Sequence, residues 1–279
     1  MQRALTALVL LGASASAFKP QAKQVTLQQA GKKLAGNVGA AFLAASTLVP
    51  AAFAGDSLVL DTPLEDKLEN FGRASYSVFN SITDVAPLGD KLIEFVDAKV
   101  KKEDSAEVVA RAVDGLLAIP DVKVAEYAGI LKQVVYKGVN KDNCVTLGGS
   151  EAFRASLQNS AAVKAVDAGK MSQLATKFAP ANRNVPVGKT GICLPASAEA
   201  SEKLWVAQAE LTFSMPKAEA QALDAAVKKA GRQATRSVIG TLIPAAEGVF
   251  SSSAEAKAMV KAGKDVEPTV IATVQAALK

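Results

Sequence analysis

Histidine is absent from this chain of 279 residues, and aromatic residues and cysteine are scarce, at 5% and two residues respectively. Without histidine the chain cannot build a Ser-His-Asp or Cys-His catalytic site, an imidazole metal site or a histidine pH switch. Two cysteines cannot supply the four thiolates of a structural zinc site. We therefore expect a protein that is not an enzyme and holds no metal or cofactor of its own.

The formal net charge of +5 comes entirely from one end of the chain. Residues 1–55 contain five basic residues and no acid, so the remaining 27 basic residues are balanced by 27 acids. The excess therefore gives no reason to expect nucleic acid binding. Gly188-Lys189-Thr190 does not make a nucleotide site either, since a P-loop needs a glycine where this chain has Arg183.

Residues 1–17 have the parts of a secretory signal peptide. A single cation, Arg3, precedes a short apolar run, and Ala15-Ser16-Ala17 forms a cleavage site of small residues. The apolar run is too short to span a bilayer. Cleavage after Ala17 places Phe18 at the new N-terminus, and this Ala-Ser-Ala-Phe junction resembles the import motif of plastids acquired from red algae.

Residues 18–54 follow as a predicted plastid transit and thylakoid-transfer segment. Residues 18–36 are rich in lysine and glutamine, as in an organelle transit peptide. Residues 38–50 are apolar and lead to Ala52-Phe53-Ala54, a second cleavage site of small residues, which is followed by Gly55. A membrane anchor is the alternative, but Pro50 and the alanine-rich composition disfavour a permanent span.

The mature chain, residues 55–279, has helical periodicity, and we expect an all-α fold. In residues 55–140 apolar residues recur three, four or seven positions apart, as on one face of a helix. Short predicted loops join four such helices, which favours an up-down four-helix bundle. The second helix is predicted to span Asp90 to Lys102, the third to open at Asp104 and the fourth to open at Asp121. The residues predicted to face inward are Leu64, Leu68, Phe71, Val78 and Ile82 in the first helix; Val108, Val109, Ala112, Val113 and Leu116 in the third; and Val124, Ala128, Leu131 and Val135 in the fourth.

Residues 141–196 are expected to be rich in loops, with a helix over Ala161 to Phe178, and residues 197–279 to be helical again. Two irregular stretches of the middle segment carry Cys144 and Cys193, 49 positions apart. In an exported protein such a pair predicts a disulfide, which would clasp the two stretches together. Two unpaired buried thiols are the alternative.

Two groups of cations are candidates for docking to a partner. Lys228, Lys229, Arg232 and Arg236 are spaced to form a stripe along one helix, and Arg183 and Lys189 lie in the second cysteine-bearing stretch. Exposed cations of this kind can attach a protein to an acidic partner through contacts that salt weakens. The alternatives are a solvated helix face for the stripe and a purely structural role for the stretch.

The three-part leader and the histidine-free helical chain together resemble the extrinsic photosystem II proteins of the red lineage. That group includes the PsbQ-type four-helix bundles and a larger extrinsic subunit of diatoms. The resemblance implies a peripheral protein of the thylakoid lumen that binds the photosystem II core and other extrinsic subunits and stabilises the oxygen-evolving site. A lumenal subunit of photosystem I or its antenna, and a soluble lumenal or secreted ligand-binding or assembly protein, are the alternatives.

We predict that the native protein begins at or near Gly55. The Ala52-Phe53-Ala54 site precedes it, and the first acid of the chain, Asp56, follows it. N-terminal sequencing of protein isolated from its source checks this prediction. A start near Phe18 would contradict the lumenal destination, because the second signal-like segment would then be retained.

Overall fold

The computed structural model describes residues 62–81, 102–146, 166–186, 191–230 and 254–278, and these residues are predominantly helical. The prediction of an all-α fold is confirmed at this level. The helices are α1 (Thr62–Ser81), α2 (Lys102–Ala118), α3 (Asp121–Leu131), α4 (Ala168–Lys177), the single turn α5 (Ala179–Asn182), α6 (Ala198–Phe213), α7 (Lys217–Ala230) and α8 (Ala254–Leu278). A π-helical turn, Lys132–Tyr136, continues α3.

Local sequence explains where several of these helices begin. The Asp167 carboxylate accepts a hydrogen bond from the backbone N–H of Lys170 at the start of α4, at 2.9 Å. The Ser197 hydroxyl accepts one from the N–H of Ala200 at the start of α6, at 3.1 Å. Both contacts satisfy a backbone N–H that has no partner within the first turn of a helix.

The inward faces predicted for the described helices are confirmed. Leu64, Leu68 and Phe71 of α1 are at most 4% exposed. The apolar residues predicted to face inward from α2 and α3 are buried in the same way, as is Val135 in the π turn. Val78 and Ile82 lie outside the side chains that the structure describes. The 3.6-residue period thus identifies the buried face wherever it can be checked.

Helices distant in sequence pack together in one core. α1 packs against α6 and α8, while α2 packs against α7 and α4. The main cluster of buried side chains accordingly combines residues from α1, α2 and α3 with residues from α6, α7 and α8. Residues 62–131 and 198–278 therefore share a hydrophobic core over their described parts. The four-helix bundle expected within residues 55–140 stays a prediction, because most of its second helix lies outside the described residues.

α1 and α6 approach each other closely at Gly72. A Cβ atom placed on Gly72 would lie 2.7 Å from the Cα of Glu202 and 2.8 Å from the Trp205 ring. Next to this contact, the rings of Phe71 and Trp205 meet edge to face, with centroids 4.9 Å apart. The Trp205 indole N–H donates to the Ser75 hydroxyl, and that hydroxyl donates to the Gly72 carbonyl, both at 2.8 Å.

An ion pair and two hydrogen bonds extend the contacts of α1. Arg73 Nη2 lies 2.6 Å from Glu202 Oε1 without the alignment of a hydrogen bond, so we describe this contact as an ion pair. At one end of the helix, Lys67 donates to the Thr269 hydroxyl of α8. At the other, the Tyr76 hydroxyl donates to the Ala196 carbonyl at 2.8 Å.

Two predicted helix boundaries and one predicted loop region are wrong. The helix expected over Ala161 to Phe178 is not continuous, because Val166 and Asp167 are not helical and Asp167 caps α4 at Ala168; residues 161–165 lie outside the described residues. α2 begins at Lys102, which was assigned to the preceding helix, rather than at Asp104. The two stretches around the cysteines, expected to be irregular, contain the strands β1 (Val139–Thr146) and β2 (Gly191–Pro195).

We predict that Gly72→Ala destabilises the protein. The added methyl group would overlap backbone atoms of α6, which cannot move aside as a flexible side chain can. The expected loss in the free energy of unfolding is about 1–3 kcal/mol, measured by denaturant titration.

Gly129→Ala is the matched control. Gly129 is also helical, but a Cβ there meets no atom within 4 Å. The substitution should stabilise the protein by up to about 1 kcal/mol through helix propensity. Equal effects of the two substitutions would contradict the close packing at Gly72.

Candidate functional site

β1 and β2 form an antiparallel two-stranded ribbon that aligns the two cysteines. Cys144 pairs with Cys193, and the next positions, Val145 with Ile192 and Thr146 with Gly191, continue the register. Beyond Cys144 the pairing is interrupted and resumes at Val139, opposite Pro195. Four residues of β1 lie between these two pairs, opposite a single residue of β2, so the extra residues of β1 form a bulge.

The backbone geometry at the cysteine pair suits a disulfide. The N–H of Cys193 donates to the carbonyl of Pro186 at 3.2 Å, so it is directed away from Cys144. The two cysteines therefore form a non-hydrogen-bonded pair, in which Cα atoms lie about 4.5 Å apart. Disulfides span Cα distances of about 4.4–6.8 Å. Cys193 is 7% exposed. The predicted disulfide stays a prediction, and the register supports it.

A small apolar cluster fixes the ribbon to the end of α3. Val134 and Val135 of the π turn are buried together with Ala128, Leu131 and Ala181. Three contacts between elements hold the cluster in place: α5 packs against α3, and both β2 and α6 pack against the π turn. The Asn184 side-chain amide also donates to the Ala128 carbonyl at 2.6 Å. The segment between the cysteines is thereby attached to α3 at a defined position.

The predicted basic stripe on α7 is partly neutralised by the chain itself. Lys228 forms an ion pair with Asp224 one turn earlier, at 2.6 Å. Lys229 forms one with Glu107 of α2, at 2.7 Å, and this contact joins two helices of the core. The hydrogen bond to Glu107, together with the negative charge of that carboxylate, raises the pKa of Lys229. The other two cations of the predicted stripe, Arg232 and Arg236, lie outside the described residues.

Of the remaining predicted site residues, the structure likewise describes some and not others. Arg183 ends α5, where its backbone N–H donates to the Ala179 carbonyl, and its side chain is exposed. Lys189 and the four processing residues, Ala17, Phe18, Ala54 and Gly55, lie outside the described residues. The structure thus pairs Cys144 with Cys193 in the ribbon and places Arg183 at the end of α5, which packs against α3.

A second group of charged side chains lies where α6 meets α1 and α3. Partial burial and the negative charge of Glu65 raise the pKa of Glu210, while Lys123 lowers it and Glu126 raises it further. Lys123 and Glu126 are paired with each other at 2.7 Å. Because Lys123 is shared in this way, the excess negative charge around Glu210 is incompletely compensated.

None of the helices in the described ranges is long and apolar enough to cross a lipid bilayer. Among the same residues, no group of three or more cysteine, aspartate or glutamate side chains is arranged to hold a metal ion. No protein family model, curated protein or solved structure matches this chain.

We predict a Cys144–Cys193 disulfide in the native protein. Peptide mapping without reductant should recover the two cysteine peptides linked. By loop entropy, the bond should contribute about 4 kcal/mol to the free energy of unfolding, and reduction should remove that contribution. Recovery of both thiols in alkylated form, from protein isolated with alkylating agent present, would contradict the prediction.

We also predict that ionised Glu210 weakens the fold. A carboxyl group whose pKa is higher in the folded state binds its proton more readily there, so folding gains stability as pH falls through that raised pKa. Glu210→Gln should remove this part of the pH dependence and stabilise the protein at neutral pH. We expect less than about 1 kcal/mol, because the side chain is only partly buried and water screens its charge.

The measurement is the free energy of unfolding of wild type and Glu210→Gln from pH 4 to 7. Asp265→Asn on α8 is the control, since it removes one carboxylate at another exposed helical site. A difference between wild type and Glu210→Gln that does not change with pH would contradict the role of this carboxylate.

Proposed function

We propose that the mature protein is a non-enzymatic subunit on the lumenal face of photosystem II and stabilises its oxygen-evolving site. One observation carries this proposal: a signal peptide, an acid-free transit stretch and a second signal-like segment follow one another in residues 1–54. Each part alone is common, but the three parts in this order support a route through the secretory pathway and the plastid into the thylakoid lumen. The destination then limits the partners to complexes that face this compartment.

The chemistry of the chain favours a structural role within that compartment. Without histidine, acid-base catalysis at neutral pH would need a carboxylate, lysine or tyrosine with a strongly shifted pKa. Among the described residues, most carboxylates that form an ion pair either join two helices or pair with a cation one turn away in the same helix, and both roles are structural. Asp114 of α2, for example, lies 2.5 Å from Lys170 of α4. The oxygen-evolving metal cluster would belong entirely to the partner.

Balanced charge in the mature chain favours attachment through local patches. Residues 56–279 carry equal numbers of acidic and basic side chains, so attraction by overall charge is not available. Contacts between exposed charges are screened beyond about 8 Å at physiological ionic strength and about 3 Å at 1 M. A protein held in this way should leave its complex in concentrated salt.

We predict that washing thylakoid membranes in molar salt releases the protein and lowers oxygen evolution. Adding the purified protein back should restore the lost activity, whereas a wash at physiological salt should release little. Oxygen evolution under saturating light is the measurement, with immunodetection of the protein in the wash. Detection of the native protein free in the lumen, or bound to photosystem I alone, would contradict the proposal.

A further inference from the structure

Two segments of the chain lack acidic residues and carry several cations. From Tyr127 to Lys141 there are three lysines and no acid, and from Ala168 to Ala198 there are three lysines and one arginine without an acid. Other acid-free runs occur in the mature chain, among them residues 225–246, which contain the predicted stripe of Lys228, Lys229, Arg232 and Arg236. Separate acid-free segments create a basic surface only if the fold brings them together.

The structure brings parts of these two segments together beside α3 and the π turn. Ala181 of α5 is buried with Val134 and Val135 of the π turn, and Asn184 is hydrogen-bonded to Ala128 of α3. On the turns that bury these valines, Lys132, Tyr136 and Lys137 are exposed, and Arg183 is exposed beside Asn184. We call the four exposed residues that adjoin this buried cluster in sequence, Lys132, Tyr136, Lys137 and Arg183, the basic end.

The cations of the basic end differ from those of α7 in one decisive respect. Lys228 and Lys229 are each held by a carboxylate of the same chain. Among the residues that the structure describes, no carboxylate forms an ion pair with Lys132, Lys137 or Arg183. A partner that binds the basic end therefore displaces no ion pair among the described residues, whereas a partner that binds Lys228 and Lys229 competes with Asp224 and Glu107.

The residue types favour a protein partner over a lipid surface. Near an anionic membrane each cation raises the binding constant about fivefold, so three give only about a hundredfold. Even a single myristoyl chain, at about 10⁴ M⁻¹, gives marginal attachment. Tyr136 is 62% exposed, although aromatic side chains are usually more buried. Exposed tyrosine and arginine are typical of the energetically important residues in protein interfaces.

We propose that the basic end docks on an acidic surface of a protein partner, with Tyr136 as the aromatic contact among three cations. Applied to photosystem II, this step rests on the proposed function, and it places the contact at the π turn and α5 rather than on α7. The apolar cluster beneath the surface holds its backbone in place before binding, which reduces the conformational entropy lost on docking.

The test compares two variants that each remove two positive charges. Lys132→Gln/Lys137→Gln alters the basic end, and Lys228→Gln/Lys229→Gln alters the paired lysines of α7. All four lysines are exposed, so both variants should fold, which circular dichroism and the unfolding midpoint verify. On immobilised polyglutamate, the basic-end variant should elute at clearly lower salt than wild type, and the α7 variant close to wild type. Elution of both variants at the same salt concentration would overturn the proposal.

Rebinding to salt-washed thylakoid membranes separates this inference from the proposed function. We expect rebinding of the basic-end variant to be about tenfold weaker and that of the α7 variant to match wild type. If all three rebind equally, the docking surface is wrong and the proposed function stands. If wild type fails to rebind photosystem II while the polyglutamate result holds, the proposed function is wrong and the docking surface stands.

A third measurement tests the choice between protein and lipid. Wild type is mixed with phosphatidylcholine vesicles that contain or lack phosphatidylglycerol, and bound protein is separated by sedimentation. We expect weak binding to both. Strong binding to the anionic vesicles that is lost in Lys132→Gln/Lys137→Gln would assign the surface to lipid and overturn the protein partner. Tyr136→Ala should weaken rebinding to membranes while leaving the polyglutamate elution unchanged.

Discussion

The contact between α1 and α6 at Gly72 joins parts of the chain that are 130 residues apart, as measured by the hydrogen bond from Trp205 to Ser75. Here the two helix backbones approach so closely that any side chain larger than hydrogen would collide with Glu202. The close approach buries the only tryptophan of the sequence and leaves its N–H satisfied. Because α1 also packs against α8, this contact brings both ends of the described chain into one core.

Periodicity in the sequence identifies which face of a helix is buried but does not identify the helix that covers it. Leu64, Leu68 and Phe71 could be assigned to a core from their spacing alone. Their partners in α6 and α8 could not, because the spacing of apolar residues is a local property and pairing depends on shape. Gly72 illustrates this limit: within a helix it appears as a weak helix former, and only the position of Glu202 shows why a side chain would not fit.

The ribbon was missed for a related physical reason. β2 has only five residues, and in β1 the bulge between Val139 and Cys144 interrupts the alternation that a regular strand would show. The cysteine pair itself carried the correct long-range information, since the prediction of a disulfide required the two stretches to meet. The sequence therefore indicated that these stretches are neighbours without indicating the backbone conformation in which they meet.

Which cations are available to bind a partner likewise depends on the fold and not on the sequence alone. In the sequence, Lys228 and Lys229 form a more conspicuous group than Lys132 and Lys137, because they belong to a longer basic stripe. In the fold, Glu107 reaches Lys229 from a helix more than 100 residues earlier in the chain. Counting cations thus overestimates the α7 surface and underestimates the end of α3, since the availability of a cation depends on carboxylates that are distant in sequence.

A hydrogen bond connects α1, which packs at Gly72, to the end of β2, which packs against the π turn of the basic end. Tyr76 lies one residue beyond Ser75 on α1, and its hydroxyl donates to the carbonyl of Ala196. Ala196 follows β2 directly and precedes Ser197, the residue that caps α6. The position of the ribbon relative to the core is therefore set by the same helix that packs at Gly72. Since the π turn packs against both β2 and α6, the cations that it carries have a fixed base, and their attraction for an acidic surface acts on a preformed arrangement.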